Sequence, residues 1–233
     1  MTERQNEILK ALIKEYIKTA EPISSEFLAK KYDFGLCPSA IRIEMQLLIK
    51  GGFLEQPHTS AGRIPTDRAY RFFVDTFVEP KEERSIEAEL NEILNKQIDD
   101  QFKLAGNLAK FLAGASSGLA IIHFVNNDVS WKEGWDEIAR EPEFLENNFA
   151  FNLLNFLDNF EEKIKNIESS GVNIYIGHEI PIPKADNLSL ICSTCSISDK
   201  EKAFVSILGP KRMDYTKNIN LIHSINKVLK DLL

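Results

Sequence analysis

Apolar residues in the first 50 positions recur at the spacing of α-helices. The first series, whose members lie three or four residues apart on one helical face, consists of Ile8, Leu9, Leu12, Ile13, Tyr16 and Ile17. Thr2 and Gln5 form the pattern of a capping box, which predicts a helix start. Ser24 is expected to cap a short second helix. A third helix is predicted from Pro38, a residue tolerated in the first turn, to the Gly51–Gly52 pair.

A short β-hairpin is predicted directly after the third helix. Phe53–Glu55 and Arg63–Ile64 are its candidate strands, and Gly62 is expected to supply a positive φ in the turn. Thr66 is then predicted to cap a fourth helix, whose buried side carries Tyr70, Phe73, Val74 and Phe77. Three helices followed by a hairpin is the order of a winged helix-turn-helix domain.

The pattern changes beyond Pro80, where the charged run Lys81–Arg84 predicts a boundary. Helices are predicted at Ile86–Ile98, Leu104–Leu112, Trp131–Glu168 with an interruption at Pro142, and from Asp214 onward. Strands are predicted at Leu119–Val125, Val172–Ile176, Leu188–Cys192 and Ala203–Leu208. Gly114–Gly118 is expected to be a small-residue loop and Gly209–Pro210 a turn. The segment therefore predicts a small, mainly antiparallel sheet flanked by helices.

Composition places the chain among globular proteins, with 43% hydrophobic and 27% charged residues. No apolar run resembles a signal peptide or approaches the ~20 residues that cross a bilayer, so we expect a cytoplasmic protein without a membrane partner. The three cysteines are too few for a disulfide scaffold. The net charge of −7 argues against indiscriminate binding of nucleic acid. However, residues 1–75 carry 11 Lys/Arg and 10 Asp/Glu, against 17 and 25 in the remainder.

The third predicted helix has an outward stripe suited to DNA. Its core face carries Ile41, Met45 and Leu48, and the opposite stripe carries Ser39, Ile43, Gln46 and Lys50, with Arg42 on its flank. In a major groove, Arg42 could bond guanine or phosphate, and Gln46 could bond adenine. Lys50 could meet phosphate, and Ile43 could pack on a thymine methyl group. An ordinary solvated face is the alternative.

The predicted hairpin tip would lie beside that helix. His58, Thr59 and Ser60 could donate to phosphate oxygens, and Arg63 could contact a phosphate or a narrow minor groove. A plain connecting turn is the alternative. Arg63 could also form a local basic surface with Arg68 and Arg71. The candidate DNA-binding residues are therefore Ser39, Arg42, Ile43, Gln46, Lys50, His58, Thr59, Ser60, Arg63, Arg68 and Arg71.

Residue types used in catalysis occur without a catalytic pattern. Cys192 and Cys195 have metal-ligand spacing, but no second pair completes a four-ligand zinc site, and we expect buried structural thiols. His123 is expected to be a satisfied core histidine. Gly114–Gly118 lacks the lysine of a phosphate-binding loop. Gly209–Arg212 is either an anion-binding turn or a solvated loop. We therefore expect no enzyme activity, no metal and no cofactor.

Several segments resemble one family, the heat-inducible transcription repressors (HrcA). The N-terminal matches are Thr2–Gln5, Glu15–Ile17, Glu21–Pro22, Ala40–Arg42, Glu44–Met45, Glu55–Thr66, Tyr70–Phe72 and Val74–Asp75. Leu104–Ala109, Pro142–Phe144, Val172–Gly177 and Leu208–Tyr215 resemble the GAF-like domain of the family. The resemblance implies a homodimer that represses heat-shock or chaperone genes by binding an inverted-repeat operator in double-stranded DNA. It also implies chaperonin as a further candidate partner.

The chain departs from the family pattern in three places. Ala40 and Ile43 stand where the recognition helix usually has Thr and Asn, and Cys37 stands in place of a capping Ser. Val125–Asp128 stands where the family has a long stretch of GAF-like strands and an inserted dimerisation segment. The chain is therefore expected to be a shortened relative that dimerises elsewhere. The Ile86–Ile98 helix is the candidate surface, and packing of that helix on its own chain is the alternative.

Pattern and resemblance together predict an α+β protein. Residues 1–79 would form a winged helix-turn-helix DNA-binding domain, residues 80–102 a linking amphipathic helix, and residues 103–233 a reduced GAF-like regulatory domain. Two other functions stay open. A degenerate winged helix could dock protein instead of DNA, which Ile43 favours. A GAF-like sensor could control DNA binding through a small molecule, which a polar cavity would favour and a filled apolar core would disfavour.

Overall fold

The computed structural model describes residues 1–97, 101–126, 129–145, 148–164, 171–198 and 201–231. The chain forms two compact units, Met1–Val78 and Glu79–Leu233. Both units combine helices with antiparallel strands, so the α+β class is confirmed. Across the described ranges, we find no helix with the length and hydropathy needed to span a membrane.

The first unit begins with three helices, α1 (Glu3–Thr19), α2 (Ser25–Lys31) and α3 (Pro38–Lys50). The predicted caps of α1 and α2 are confirmed. The Thr2 Oγ1 accepts from the Gln5 N–H at 3.2 Å, and the Gln5 side chain accepts from the Thr2 N–H at 3.1 Å. Ser24 Oγ accepts from the Phe27 N–H at 3.1 Å. These bonds satisfy donors that a helix start leaves unpaired. The shared core consists of Ile8, Leu9, Leu12, Ile13, Leu28, Ile41, Met45 and Leu48.

A two-stranded hairpin follows, with β1 (Leu54–Glu55) antiparallel to β2 (Ile64–Pro65). It leads into α4 (Asp67–Phe77), which Thr66 caps as predicted by accepting from the Ala69 N–H. The positive φ predicted for Gly62 is wrong. Arg63 instead pairs with Ile23 through two backbone hydrogen bonds of 2.8 and 2.9 Å. A Cβ at Gly62 would lie 2.5 Å from the Ile23 carbonyl carbon, so glycine is required here for close approach.

The second unit is built around a five-stranded sheet. Its strands are β3 (Leu119–Phe124), β4 (Val129–Glu133), β5 (Asn173–Ile176), β6 (Leu188–Ser198) and β7 (Glu201–Pro210). Their order in the sheet is β4-β3-β7-β6-β5, and every neighbouring pair is antiparallel. The predicted small antiparallel sheet is therefore confirmed.

Helices cover both faces of this sheet. They are α5 (Arg84–Gln97), α6 (Gln101–Ser116), α7 (Trp135–Ala139), α8 (Phe149–Ile164) and α9 (Tyr215–Asp231), with short 3-10 turns at Pro142–Leu145 and Gly177–Glu179. α6 and α9 pack on one face, and α5 packs on both of them. Alternate strand residues such as Leu119, Ile121 and Phe204 join α8 in the core on the other face. Because both faces are covered, every residue of β3 is buried.

Three predictions in this unit are wrong. The segment predicted to be helical from Trp131 begins as strand β4, since Trp131 packs on Phe124 with ring centroids 5.3 Å apart. Residues 165–168 at its end lie outside the described ranges. Gly114 belongs to α6 rather than to a loop, and the chain turns only at Ser117, where φ is positive. The predicted Gly209–Pro210 turn is the end of β7, where Pro210 pairs with Leu188.

The predicted amphipathic helix, α5, packs on its own chain. Its apolar residues Leu90 and Leu94 are buried. Lys227 of α9 forms an ion pair with Glu87 at 3.1 Å, which helps to fix α5 in place. Packing of this helix on its own chain, the alternative, is therefore confirmed, and dimerisation through the helix stays a prediction. Ile98, predicted as its last apolar residue, lies outside the described ranges.

Candidate nucleic-acid interface

The outward face of α3 is fixed by what its inner face buries. Ile41, Met45 and Leu48 are at most 2% exposed, and they anchor the helix against α1 and α2. Glu44 points toward α1, where it accepts a hydrogen bond of 3.0 Å from Gln5 Nε2 and lies 3.8 Å from Arg4 Nη1. The one carboxylate of α3 is thus half-buried and faces α1. The opposite face is left without acidic charge.

That opposite face is exposed along the whole helix. Its exposed residues after Pro38 are Ser39, Arg42, Ile43, Gln46, Leu47 and Lys50. Five of these six were predicted from the spacing. The addition is Leu47, which is 45% exposed, whereas Ile43 is 63% exposed. The face thus combines cationic, amide and hydroxyl groups with two apolar side chains.

Arg42 of α3 forms an ion pair with a residue of α2. Its Nη2 donates to Glu26 Oε1 of α2, and each side chain is 58% exposed. The pKa of Glu26 is lowered, first by its own backbone N–H and further by the charge of Arg42. An exposed ion pair of this kind adds little stability. Glu26 therefore orients Arg42 at the edge of the α3 face, and the ion pair is weak enough for Arg42 to exchange it for another partner.

The start of α3 has the backbone conformation of a capped helix but lacks a side-chain cap. Cys37 occupies the N-cap position with an extended backbone, but no side-chain cap bond is made. Its Sγ lies 3.1 Å from Ser39 Oγ instead. That contact, followed by the Ala40 N–H, lowers the pKa of the Cys37 thiol. Ser39 is thus paired with the thiol at the helix start.

The conformation of the hairpin tip is fixed by the side chain of Gln56, which was not among the predicted DNA-binding residues. Gln56 Nε2 donates to the carbonyl oxygens of Thr59 at 2.8 Å and Ala61 at 3.0 Å. The Ala61 N–H donates to the His58 carbonyl at 2.9 Å. The exposed His58 ring lies 3.1 Å from Ser60 Oγ. Gln56 therefore closes the tip and leaves His58, Thr59 and Ser60 exposed together.

Arg63 contributes to the hairpin itself. It is half-buried, and its Nη1 donates to the Ala61 carbonyl oxygen at 3.0 Å. Its Nε is buried without a hydrogen-bond partner among the described residues. Part of its guanidinium is thus turned toward the backbone of its own turn. A role of Arg63 in DNA binding stays a prediction.

Arg68 and Arg71 lie in the first half of α4, and each has an internal partner. Arg68 Nη1 donates to the Gly51 carbonyl at the end of α3 at 2.8 Å, and its guanidinium lies 4.5 Å from the centroid of the Phe53 ring. Arg71 forms an ion pair with Asp75 at 3.3 Å. Arg68 therefore secures the junction between α3 and the hairpin. The predicted basic surface of Arg63, Arg68 and Arg71 stays a prediction.

Other chemically suggestive residues have structural roles. Nδ1 of the buried His123 lies 2.9 Å from Ser130 Oγ, which donates to Glu161 at 3.1 Å. The serine stands between histidine and carboxylate, which is not the order that activates a nucleophile. His123 is confirmed as a satisfied core histidine. Within the described ranges, no three His, Cys, Asp or Glu side chains are grouped so as to bind a metal.

The structure also shows the surroundings of three other candidate residues, Cys192, Cys195 and Arg212. Cys192 is a buried core thiol, as predicted, and burial raises its pKa to about 12. Cys195 is half-buried. Arg212 is neither an anion site nor a solvated residue. It forms internal ion pairs with Glu141 and Glu143, the latter at 2.5 Å, and its side chain is 11% exposed.

A cavity of about 420 Å³ with polar side chains in its lining lies in the second unit, beside β6 and α9. Asn226 Nδ2 donates to Ser193 Oγ at 2.7 Å, and Ser193 Oγ donates to the Gly171 carbonyl at 2.8 Å. The Oδ1 of Asn226 is buried without a partner among the described residues. The cavity lining consists of Gly171, Ser193, Thr194, Cys195, Ser196, Asn226 and Lys230. The core beneath α8 is filled by apolar side chains.

Comparisons with known proteins give consistent matches. The family model described as HrcA protein C terminal domain matches residues 68–219. The heat-inducible transcription repressor HrcA of Thermoanaerobacter sp. (strain X514) is 29% identical over 333 aligned residues, covering 100% of this chain and 97% of that protein. The repressor of the same name from Desulforudis audaxviator (strain MP104C) is 53% identical over 79 residues, covering 34% of this chain and 23% of that protein.

One solved structure shares the fold over its whole length. It is described as the crystal structure of a hypothetical protein at 2.2 Å resolution, and it matches with a TM-score of 0.77. The match covers 99% of this chain and 97% of that chain, at 16% sequence identity. At this identity the likeness shows the fold alone.

The fold and the matched structure place this chain in a class of two-unit α+β proteins. In this class a helix–hairpin unit precedes helices that pack around an antiparallel sheet. The chain belongs to the HrcA family, because the family model covers more than half of it. The predicted family is thus confirmed. The alignment with the Thermoanaerobacter repressor has 333 positions for a chain of 233 residues, so this chain is shorter than that relative.

Proposed function

We propose that this chain is a sequence-specific transcriptional repressor and that residues 1–79 form its winged helix-turn-helix DNA-binding domain. The observation that carries the proposal is the exposed face of α3, which has two cations and no exposed carboxylate in a chain of net charge −7. Phosphate contacts supply much of the affinity for DNA, and they need local positive charge. The names of the relatives, heat-inducible transcription repressors, point in the same direction.

In the proposed complex, α3 lies in the major groove. Gln46 bonds adenine, and Lys50 at the far end of the helix meets a phosphate. Arg42 exchanges its exposed bond to Glu26 for guanine or phosphate, at little cost since the pair is solvated. The hairpin is the wing, and the hydroxyl and imidazole groups of its tip donate to phosphate oxygens. Gln56 preorganises that tip.

The targets and the control of the repressor are part of the same proposal. Heat-shock or chaperone genes would carry an inverted-repeat operator, which a homodimer would bind at half-sites one helical turn or a multiple of it apart. Residues 103–233 would be a reduced GAF-like regulatory domain. Val125–Asp128, where the resemblance implies a longer segment in family members, comes between β3 and β4 in the chain, and Asn127 and Asp128 lie outside the described ranges. Chaperonin is the candidate partner that would tune repressor activity.

Fluorescence anisotropy tests the function directly. The full chain is titrated into a chaperone-type inverted repeat and into a scrambled duplex of equal length, across a series of salt concentrations. We expect specific binding to exceed non-specific binding at least ~10³-fold at physiological salt, and both to weaken as salt rises. Failure of the folded protein to bind either duplex at low salt would contradict the proposal.

A matched pair of lysine variants tests the position of the interface. Lys50→Ala removes the cation at the end of α3, and it should lower the slope of log affinity against log salt by about 1. Lys202→Ala removes another exposed cation, from β7, and should leave the slope unchanged. Equal effects of the two substitutions would exclude α3 as the DNA-contacting helix.

The cavity beside β6 and α9 favours a second candidate function, a small-molecule sensor that controls DNA binding. Lys230 and the hydroxyl groups of the lining suit a small anion. The filled apolar core beneath α8 argues against a ligand elsewhere in the unit. Because hydroxyl and ammonium groups are part of the cavity lining, the sensor is retained as the alternative to a repressor controlled by protein alone.

Thermal unfolding distinguishes the two modes of control. Citrate, succinate and inorganic phosphate are each added to the full chain and to the Asn226→Ala variant. A sensor predicts a raised melting temperature for at least one anion. The shift should be lost in the variant, and affinity for the operator should change with the same anion. Equal melting temperatures with and without every anion would contradict the sensor.

A further inference from the structure

Two apolar side chains form the centre of the exposed α3 face. Ile43 and Leu47 are four residues apart, so they are neighbours on one side of the helix. They are 63% and 45% exposed, although the core side of α3 already has Ile41, Met45 and Leu48 buried. The pair therefore does not belong to the hydrophobic core. It is an apolar ridge, Ile43 and Leu47, directed away from the unit.

The surroundings of this ridge indicate what it can contact. Gln46 lies beside it, Lys50 flanks one end, and Arg42, which is paired with the exposed Glu26 of α2, flanks the other. The carboxylate of Glu44 is turned toward Gln5 on the far side. An apolar centre within a cationic and amide rim matches a polyanion that exposes methyl groups. The major groove has this chemistry, because each thymine exposes its C5-methyl group there between rows of phosphates.

A protein partner fits the same ridge less well. Stable protein interfaces bury roughly 800 Å² per partner and have an apolar centre depleted in charge. Two aliphatic side chains between Arg42 and Lys50 are a small centre with charge at both ends. The ridge has the scale of base contacts rather than the scale of a protein interface.

We infer that Ile43 and Leu47 determine sequence specificity by packing on the C5-methyl groups of two thymines in each half-site. Four residues along a helix span about 6 Å, and stacked bases are about 3.4 Å apart, so the two thymines lie within two base steps of each other. Gln46 is positioned to bond an adenine in the same short A·T segment. This inference rests on the proposed DNA-binding function and adds the chemistry of the bases.

Deoxyuridine substitution removes the methyl group and nothing else. The full chain first selects its preferred duplex from a random library. Each thymine of that duplex is then replaced singly by deoxyuridine, and binding is measured by anisotropy. We expect two positions in each half-site at which affinity falls about fourfold, the change that corresponds to burial of one methyl group. The other thymines should tolerate the replacement.

Variants assign each methyl group to a side chain. Ile43→Ala should abolish the uracil effect at one position, and Leu47→Ala should abolish it at the other. Leu145→Ala, which truncates a leucine that is 88% exposed in the second unit, is the matched control and should change neither. Both α3 side chains are exposed, so circular dichroism should show that the variants stay folded.

The possible outcomes separate the inference from the function on which it rests. Specific binding of a selected duplex with no uracil effect at any position would overturn the inference and leave the repressor intact. Uracil effects that persist in both α3 variants would also overturn it. Failure to enrich any duplex, with no salt-sensitive binding, would overturn the proposed function and the inference together. In that case the ridge would instead be a candidate protein-docking site.

Discussion

Gly62 in the hairpin and Ile23 before α2 are in direct backbone contact. A Cβ built on Gly62 would lie 2.5 Å from the Ile23 carbonyl carbon and 2.5 Å from the Pro22 carbonyl oxygen. The two hydrogen bonds between Ile23 and Arg63 hold this approach. The hairpin is therefore attached to the helical part of the unit through a position that accepts only glycine.

Gly62→Ala should detach the hairpin from the Ile23 segment. Backbone atoms cannot yield as a flexible side chain does, so we expect a loss of about 1–3 kcal/mol in unfolding free energy, as for other overpacked sites. Affinity for the selected duplex should fall at least tenfold. Urea denaturation and anisotropy measure the two effects. Gly35→Ala is the control, since a Cβ there meets nothing within 4 Å and only the positive φ is strained. Equal loss of DNA affinity in both variants would contradict the role of this contact.

Glu15 is a buried carboxylate bound by residues from the next helix. It is 1% exposed, and it accepts hydrogen bonds of 2.5 Å from Lys31 and 2.6 Å from the Tyr32 hydroxyl. Burial alone would raise the pKa of Glu15, but these bonds outweigh it and lower the pKa. Burial and the neighbouring carboxylate raise the pKa of Tyr32 to about 12.

The direction of this shift predicts a pH dependence of stability. A group whose pKa is lower in the folded state stabilises above its unfolded pKa, about 4.3 for Glu. That contribution is lost as pH falls through the folded pKa. Glu15→Gln should therefore cost about 1–2 kcal/mol at pH 7, and the difference from wild type should shrink below pH 4. Urea denaturation at several pH values measures it. A difference that stays constant down to pH 3 would contradict the ionised role of Glu15.

The sequence predicted the helical face of α3 because that face depends on local periodicity. Ile41, Met45 and Leu48 had to be buried, and the exposed stripe follows from 3.6 residues per turn. Leu47 was missed, since a leucine adjoining a core position is usually assigned to the core. The caps at Thr2, Ser24 and Thr66 were also predictable, because a cap is a contact over three residues.

Features that depend on distant contacts were not predictable. β4 is a strand because its residues pair with β3 and Trp131 packs on Phe124, whereas its own five residues have no decisive pattern. The ion pair between Glu15 of α1 and Lys31 of α2 joins residues that are 16 positions apart in the chain. The bonds of Gln56 across the hairpin tip depend on a turn conformation that composition does not fix. The sequence therefore predicted where the candidate interface lies, but not the long-range contacts that determine its conformation.

Two of the three cysteines, Cys37 and Cys192, should differ strongly in reactivity. Cys37 is exposed and its pKa is lowered, first by the contact with Ser39. Cys192 is buried, and its pKa is raised to about 12. Since the thiolate is the reactive form, iodoacetamide at pH 7.5 should label Cys37 first and label Cys192 only on unfolding. Peptide mass mapping over time measures this. Labelling of Cys192 in the folded protein at the rate of Cys37 would contradict the described core.

Two cap positions in the first unit provide the last prediction. Ser24 Oγ accepts from the Phe27 N–H, so Ser24→Ala should cost about 1 kcal/mol. Cys37 has the same extended N-cap backbone, with φ −73° and ψ 159°, but makes no side-chain cap bond. Cys37→Ser should therefore supply an acceptor to the first turn of α3 and raise the melting temperature, whereas Cys37→Ala should not.

Thermal unfolding of the three variants and of wild type measures both effects. Destabilisation by Cys37→Ser, with Ser24→Ala behaving as expected, would mean that the contact between the thiol and Ser39 contributes more than a cap bond. Because α3 has the candidate DNA-binding face, anisotropy with the selected duplex is measured on the same samples. A better-capped α3 is ordered before binding, so Cys37→Ser should bind the duplex at least as tightly as wild type.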